Sequence, residues 1–328
     1  MAIDGLNRRR VLLAAAALPL ARPVLAASRP VLLASGRDAD GFAAFGLDAR
    51  GAILWRRALP GRAHGFALAP DRRRAVIFAR RPGAWALPLD PGSGAAGPAW
   101  SAGGYALCGH GQFAAGGLVA ATATDAEGEG HLLLFDARTG RRAGAWPTGG
   151  ADPHEVLRIA ADAFVVANGG DAADASSLVR MDDRTGRRLA RAGAAPDLAR
   201  LSLRHLAVLD GAAVVVCQDR SQPDPSVPLV AAWRDDGLDW LDLGPGIATM
   251  RGYCGSVASR GAALCVTSPN GGVAVEWPSR AAHAIADVCG VAALGDGFVL
   301  SSGGGEVILP GGGLRRHAVQ WDNHMVAL

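Results

Sequence analysis

Lysine is missing from this 328-residue sequence; all 33 basic residues are arginine. Charge of either sign is sparse, with charged side chains at 19% and a formal net charge of +3. That balance lacks the concentrated basic footprint of a nucleic-acid binder, so no nucleic-acid partner is expected. Aromatics reach only 5%. Sustained helical periodicity is absent after residue 28, which argues against a helical fold. Also missing are a nucleophile elbow, a Walker loop, a dinucleotide fingerprint and a CxxCH haem-attachment site, so no motif marks the chain as an enzyme. What is abundant is apolar and turn-forming: half the residues are hydrophobic, with 45 Gly and 19 Pro. That is ample for a large core and too apolar for disorder.

Residues 7–27 combine a basic cluster (Arg8, Arg9, Arg10), an apolar run from Val11 to Leu20, and small residues at Ala26 and Ala27. The layout predicts an export signal over 1–27, because the apolar run is shorter than the roughly 20 residues a membrane span requires. The arginine pair and Arg22 resemble a twin-arginine leader, with Asn7 and Val11 standing where Ser/Thr and Phe are usual. Either export route places the protein in the periplasm. Removing 1–27 takes away four Arg and one Asp, leaving a formally neutral mature chain over 28–328.

Beyond residue 28, short alternating or β-branched runs such as Ala75–Phe78, Leu132–Phe135, Phe164–Ala167 and Ala213–Cys217 alternate with Gly, Pro and Asp clusters. This is the pattern of short strands joined by turns, hence an all-β fold. Several runs end in an Asp-to-Gly turn: LDARG at 47–51, LDPGSG at 89–94, FDARTG at 135–140 and MDDRTG at 181–186. Asp bonds its own downstream backbone and Gly takes positive φ, so these read as one hairpin repeated. The spacing fits a four-stranded propeller blade.

A second marker recurs ahead of each repeat's first strand: His64, His110, His154, His205, Cys254, Cys289 and His324, at intervals of 35 to 51 residues. Seven markers predict a single seven-bladed β-propeller of four antiparallel strands per blade. Only four residues follow His324. The ring therefore closes only if the two termini share a blade, with Met325–Leu328 innermost and Val31–Ser35, Phe42–Leu47 and Ile53–Ala58 outside it.

The innermost strand of each blade lines the axis, so a residue repeated at its start is expected to face the channel. All seven such residues are His or Cys, side chains that bind borderline and soft transition metals. A metal-binding ring is the expectation, with three to six members on one ion. Asp152, Asp287 and Asp322 each lie two residues before a ring member and are candidates to orient it. Asp152 and Glu155 also flank His154 as candidate proton carriers. Cys254 and Cys289 sit in adjacent blades and offer a disulfide in an oxidising compartment. Cys108, Cys217 and Cys265 read as small buried hydrophobes. His131, His283 and His317 fall outside the repeat and read as surface residues.

The segments GFALAPDRRRAVIFARRPG at 65–83, CGHGQF at 108–113, DPHE at 152–155, VVANGG at 165–170, LRHLAV at 203–208, YCGSVA at 253–258, VTSPNGG at 266–272, DVCGVA at 287–292 and WDNH at 321–324 resemble the DUF1513 family of exported bacterial proteins. The loops around Thr122–Gly130 and Gly169–Ser177 are shorter than that pattern. The resemblance implies a companion of imelysin-like periplasmic proteins and dihaem-type oxidoreductases in iron acquisition. It thereby favours iron over copper or zinc, and periplasmic iron-uptake or redox proteins as partners. Three functions follow: a periplasmic metal-binding propeller that handles iron, a protein-interaction scaffold whose ring is structural, and a metal-dependent redox enzyme.

Overall fold

Runs such as Leu32–Leu33, Ala75–Phe78 and Val214–Val216 alternate too little to leave one face wet, and all are buried in strands packed on both sides. A computed structural model describes residues 29–220, 224–235 and 237–328; the expected leader over 1–27 lies outside the described residues. The strands form seven four-stranded antiparallel sheets arranged as the blades of a β-propeller. The innermost strands of blades 1 to 6 are Ala63–Leu68, Ala106–Ala114, Pro153–Ala160, Leu201–Leu209, Ser256–Arg260 and Val288–Leu294. Blade 7 joins the termini: Gln320–Ala327 is innermost and pairs with Leu32–Asp38, followed by Gly41–Leu47 and Ile53–Ala58. The closing strand is thus twice as long as the four residues after His324 suggest. Pairing the two chain ends removes two open sheet edges that would otherwise template association.

The Asp-to-Gly turns do more than close hairpins. Asp90, Asp136 and Asp182 each accept backbone N–H groups within their own turn, and Gly94, Gly140 and Gly186 adopt φ near +70°. Each of these glycines lies under a tryptophan from the outermost strand of the preceding blade: Trp55 over Gly94, Trp100 over Gly140, Trp146 over Gly186. A Cβ at Gly140 would sit 2.0 Å from the Trp100 ring. The glycine is therefore required twice, for its φ and for the ring that latches one blade onto the next. Between sheets, four of the blades each bury one phenylalanine completely, Phe45, Phe78, Phe135 and Phe164, among alanine and branched aliphatics. Truncating such a ring to alanine costs about 3–5 kcal/mol.

Among the described residues, no helix is long and apolar enough to cross a membrane.

Candidate metal centre

The innermost strands position the site through irregularities rather than through regular pairing. In blades 1 to 4 the ladder between the first and second strands slips at the histidine: between Ala63 and Phe66, Leu107 and Gly111, Pro153 and Glu155, and Leu203 and His205. In blade 7 the slip takes in Asp322 to His324. An extra residue in one strand bends it and re-aims a side chain that regular alternation would direct elsewhere. Here the bulges turn five imidazoles onto the propeller axis.

These rings, His64, His110, His154, His205 and His324, are all buried or nearly so and pack mostly edge to face, with His110 and His154 tilted at 52°; nearest centroids lie 4.5 to 5.1 Å apart. Two glycines make this possible. A Cβ on Gly65 would lie 2.8 Å from His110, and one on Gly109, at φ +103°, would lie 2.7 Å from His64. Donor atoms of His64, His110 and His154 lie within 4.8 Å of one another, as do those of His110, His205 and His324.

The hydrogen bonds around the rings assign their tautomers. His110 Nδ1 faces the carbonyl of His154 at 2.9 Å and must carry the proton, leaving a lone pair on Nε2. His205 Nδ1 donates to Glu155 Oε2 at 3.1 Å, so its Nε2 is also a bare donor atom. Arg204 Nη1 donates to His154 Nδ1 at 3.1 Å, which puts the His154 proton on Nε2, where it points at His205 Nε2 3.4 Å away. His324 Nε2 lies 3.3 Å from His110 Nε2, and its Nδ1 lies 3.2 Å from Ser256 Oγ. A hydroxyl both donates and accepts, so Ser256 accommodates either His324 tautomer. His64 Nδ1 is buried with no partner.

Burial and, for most, the neighbouring rings hold all five imidazoles well below the ordinary histidine pKa, His205 down to about 3, where Arg204 adds to the effect of burial. They are therefore neutral near pH 7, the form that binds metals. Glu155 is pushed upward by burial, which the nearby His110 and the Leu206 N–H partly offset. Its Oε2 accepts from that N–H at 3.1 Å and lies 3.8 Å from His110 Nε2.

On one side the cluster opens into a cavity of about 410 Å³. His110, His205, His324, Glu155 and Ser256 form its polar floor, and Phe66, Phe113, Val156, Val257, Val291 and Val326 are among its apolar walls. A polar floor beneath apolar walls suits a small ligand bound to, or delivered to, the histidines.

A family model described as "Protein of unknown function (DUF1513)" matches residues 57–328. The chain belongs to the DUF1513 family. Two solved structures share the fold. BamB from Moraxella catarrhalis is 14% identical, with a TM-score of 0.52 over 88% of this chain and 82% of that one. The C-terminal WD40 domain of Sif2 is 9% identical, with a TM-score of 0.53 over 90% and 82%. At such identities the likeness is one of fold alone. No curated protein matches the sequence significantly.

Two expected ring members of this DUF1513 protein lie elsewhere. Cys254 precedes its strand; it is buried with its Sγ 3.9 Å from Met250 Sδ. Blade 5 has no bulge, its first two strands pairing without a slip from Ser256 to Arg260, and the axial position falls to Ser256. Cys289 does lie at a bulge, yet its Sγ turns back to the carbonyls of Ser301 and Trp321 at 3.5 and 3.4 Å. Both thiols are free, so the Cys254–Cys289 disulfide is not formed. Cys108, Cys217 and Cys265 are buried, as expected.

The three aspartates do not hydrogen-bond the imidazoles either, because arginines claim two of them with stronger charge-assisted bonds. Asp152 is bound by Arg81, Arg204 and Arg220, and Asp322 by Arg62. Asp287 packs against Gly303. The carboxylate that does orient an imidazole is Glu155. It directly follows His154 within a bulge, a position that a two-residue offset could not find. His131, His283 and His317 bond to Asp125, Glu276 and the Gly51 carbonyl, away from the cluster.

Proposed function

We propose that the protein binds a transition-metal ion on the propeller axis, with Nε2 of His110, His205 and His324 as the principal donors. The observation that carries this reading is the approach of His110 Nε2 and His324 Nε2 to 3.3 Å. Two nitrogens on one tetrahedral ion, with bonds of about 2.0–2.1 Å, stand about 3.3 Å apart, so little movement is needed to admit it. An ion here takes the lone pairs of His110 and His205 that otherwise accept imidazole hydrogen bonds. His324 then moves its proton to Nδ1 and donates it to Ser256. Glu155 supports His205 from behind, as carboxylates commonly do for metal-bound imidazoles. The cavity leaves a face of the ion free for water or a ligand. His64 groups with His110 and His154 rather than with His205 and His324, and His154, with Arg204 on Nδ1, is protonated on the nitrogen that faces the cluster.

Imidazole donors suit iron, copper and zinc. The family resemblance favours iron, and with it a periplasmic role in iron acquisition or handling beside uptake or redox proteins. The test is elemental analysis of the protein purified anaerobically from the compartment where it resides. About one ion per chain is expected, falling below a tenth in H110A/H324A. Retention of metal in that variant would overturn the assignment. A merely structural ring would show lower stability in the variant and no bound metal in either protein.

A further inference from the structure

The opposite mouth of the channel has a different chemistry. Antiparallel pairing places the starts of the innermost strands and the ends of their neighbours on one face. Arg62 precedes the Ala63–Leu68 strand, while Arg80 and Arg81 follow Ala75–Ala79 in the same blade. Arg204 lies in the Leu201–Leu209 strand just before His205, and Arg220 follows Ala212–Asp219. Five guanidinium groups thus gather beneath the imidazoles, and two carboxylates serve them. Asp152 takes Arg81, Arg204 at 3.1 Å and Arg220 at 2.6 Å. Asp322 takes Arg62 in two bonds of 2.6 and 2.9 Å, and Arg80 stands off at 3.9 Å.

Five guanidinium groups outnumber these two carboxylates and Asp287, which lines a cleft with Arg62 and Asp322, and two buried N–H groups show where the excess lies. Arg204 is 5% exposed and its Nε has no acceptor. Arg80 Nη1 is likewise buried without a hydrogen-bond partner. A desolvated guanidinium with idle N–H groups is costly unless an anion meets it. Arg81, next to Arg80 in the chain, and Arg204 both bind Asp152, which brings the two groups to one mouth.

We propose that this arginine-lined mouth binds a small multi-oxygen anion, a polycarboxylate or a phosphate-type oxyanion, through Arg80 and Arg204 with Arg81 and Arg220 at the rim. Planar guanidinium forks match such anions bidentately. Arg204 also donates to His154, so the anion and the histidine cluster share one side chain. The site itself needs no metal and stands apart from the metal reading.

The experiment titrates the full-length protein at low ionic strength with citrate and, separately, with inorganic phosphate. Sodium chloride at matched ionic strength is the control, and metal content is measured before and after. Saturating anion is expected to raise Tm by about 3 °C or more. A response to citrate alone identifies a polycarboxylate, and a response to phosphate identifies the oxyanion. R80Q and R81Q/R220Q should weaken binding about tenfold or more, whereas R73Q, remote from this mouth, should not. Two variants keep the test valid should one fold poorly. Equal midpoints in citrate, phosphate and chloride, or an unchanged response in both variants, would overturn the proposal. Absence of metal from the native protein before any anion is added, with the anion response intact, would overturn the metal reading alone.

Discussion

Blades 1 to 4 and blade 7 bring a histidine to the axis; blades 5 and 6 carry a cysteine at the corresponding place in the sequence and keep it away. The difference lies in the backbone. Where the first strand bulges at the marker and a glycine or the next ring leaves space, the side chain is aimed inward. In blade 5 the ladder does not slip, and the marker falls two residues before the strand. In blade 6 the bulge is present, but Gly290 is closed over by Met325 and Ser301, and the thiol finds carbonyls within the sheet. Sequence position thus selects the level along the axis, and local register selects the direction.

The largest expected effect that sharpens this contrast is acid lability confined to the imidazole blades. Their pKa values are held down in the folded state, so below about pH 6.5 the unfolded chain takes up protons that the native one refuses. Stability is therefore complete above that pH and falls with acidification, for His205 down to about 3, at up to about 1.4 kcal/mol per pH unit for each ring. The unfolding free energy of metal-free protein, read from denaturant titrations, should drop by on the order of 5 kcal/mol between pH 6.5 and 5. The buried thiols, Cys254 and Cys289 pushed up to about 12, contribute nothing in that window. A flat profile would contradict the neutral-imidazole assignment.

Next comes the backbone that permits the cluster. Gly109→Ala forces a Cβ into both a left-handed φ and the His64 ring, so a loss of about 2–4 kcal/mol and displacement of His64 are expected. Chemical denaturation measures the first, and histidine NMR signals the second. Glu155→Gln keeps the shape and removes the carboxylate behind His205; metal affinity should fall about 10- to 100-fold with little change in stability. A competition titration with a chromophoric chelator reads it. The smallest effect is expected in C254A/C289A, about 1 kcal/mol per site with metal content unchanged. Loss of metal there would return the cysteines to the ring.

The propeller was legible because its signals are local and repeated. Asp-to-Gly turns need Asp at one end for the Asx bonds and Gly at the other for positive φ, and both needs leave residues in fixed places. The shared blade followed from the few residues after His324. The site was legible in part: five of seven markers converge because their strands bulge at the marker and the axis has room for the ring. Bulges leave little trace in sequence, so Cys254, Cys289 and the capture of Asp152 and Asp322 by arginines could not be separated from the rest. Ser256 and Arg204 were hidden for a related reason. Each acts on a ring from another blade, and a single repeat does not display that neighbour.

X-ray absorption at the edge of the bound metal tests the central claim most directly, since it reads donor identity at the ion. A nitrogen/oxygen shell at about 2.0–2.2 Å with the outer-shell scattering of imidazole rings is the expected result. A shell dominated by sulfur at about 2.3 Å, or a native protein with no ion to measure, would contradict it.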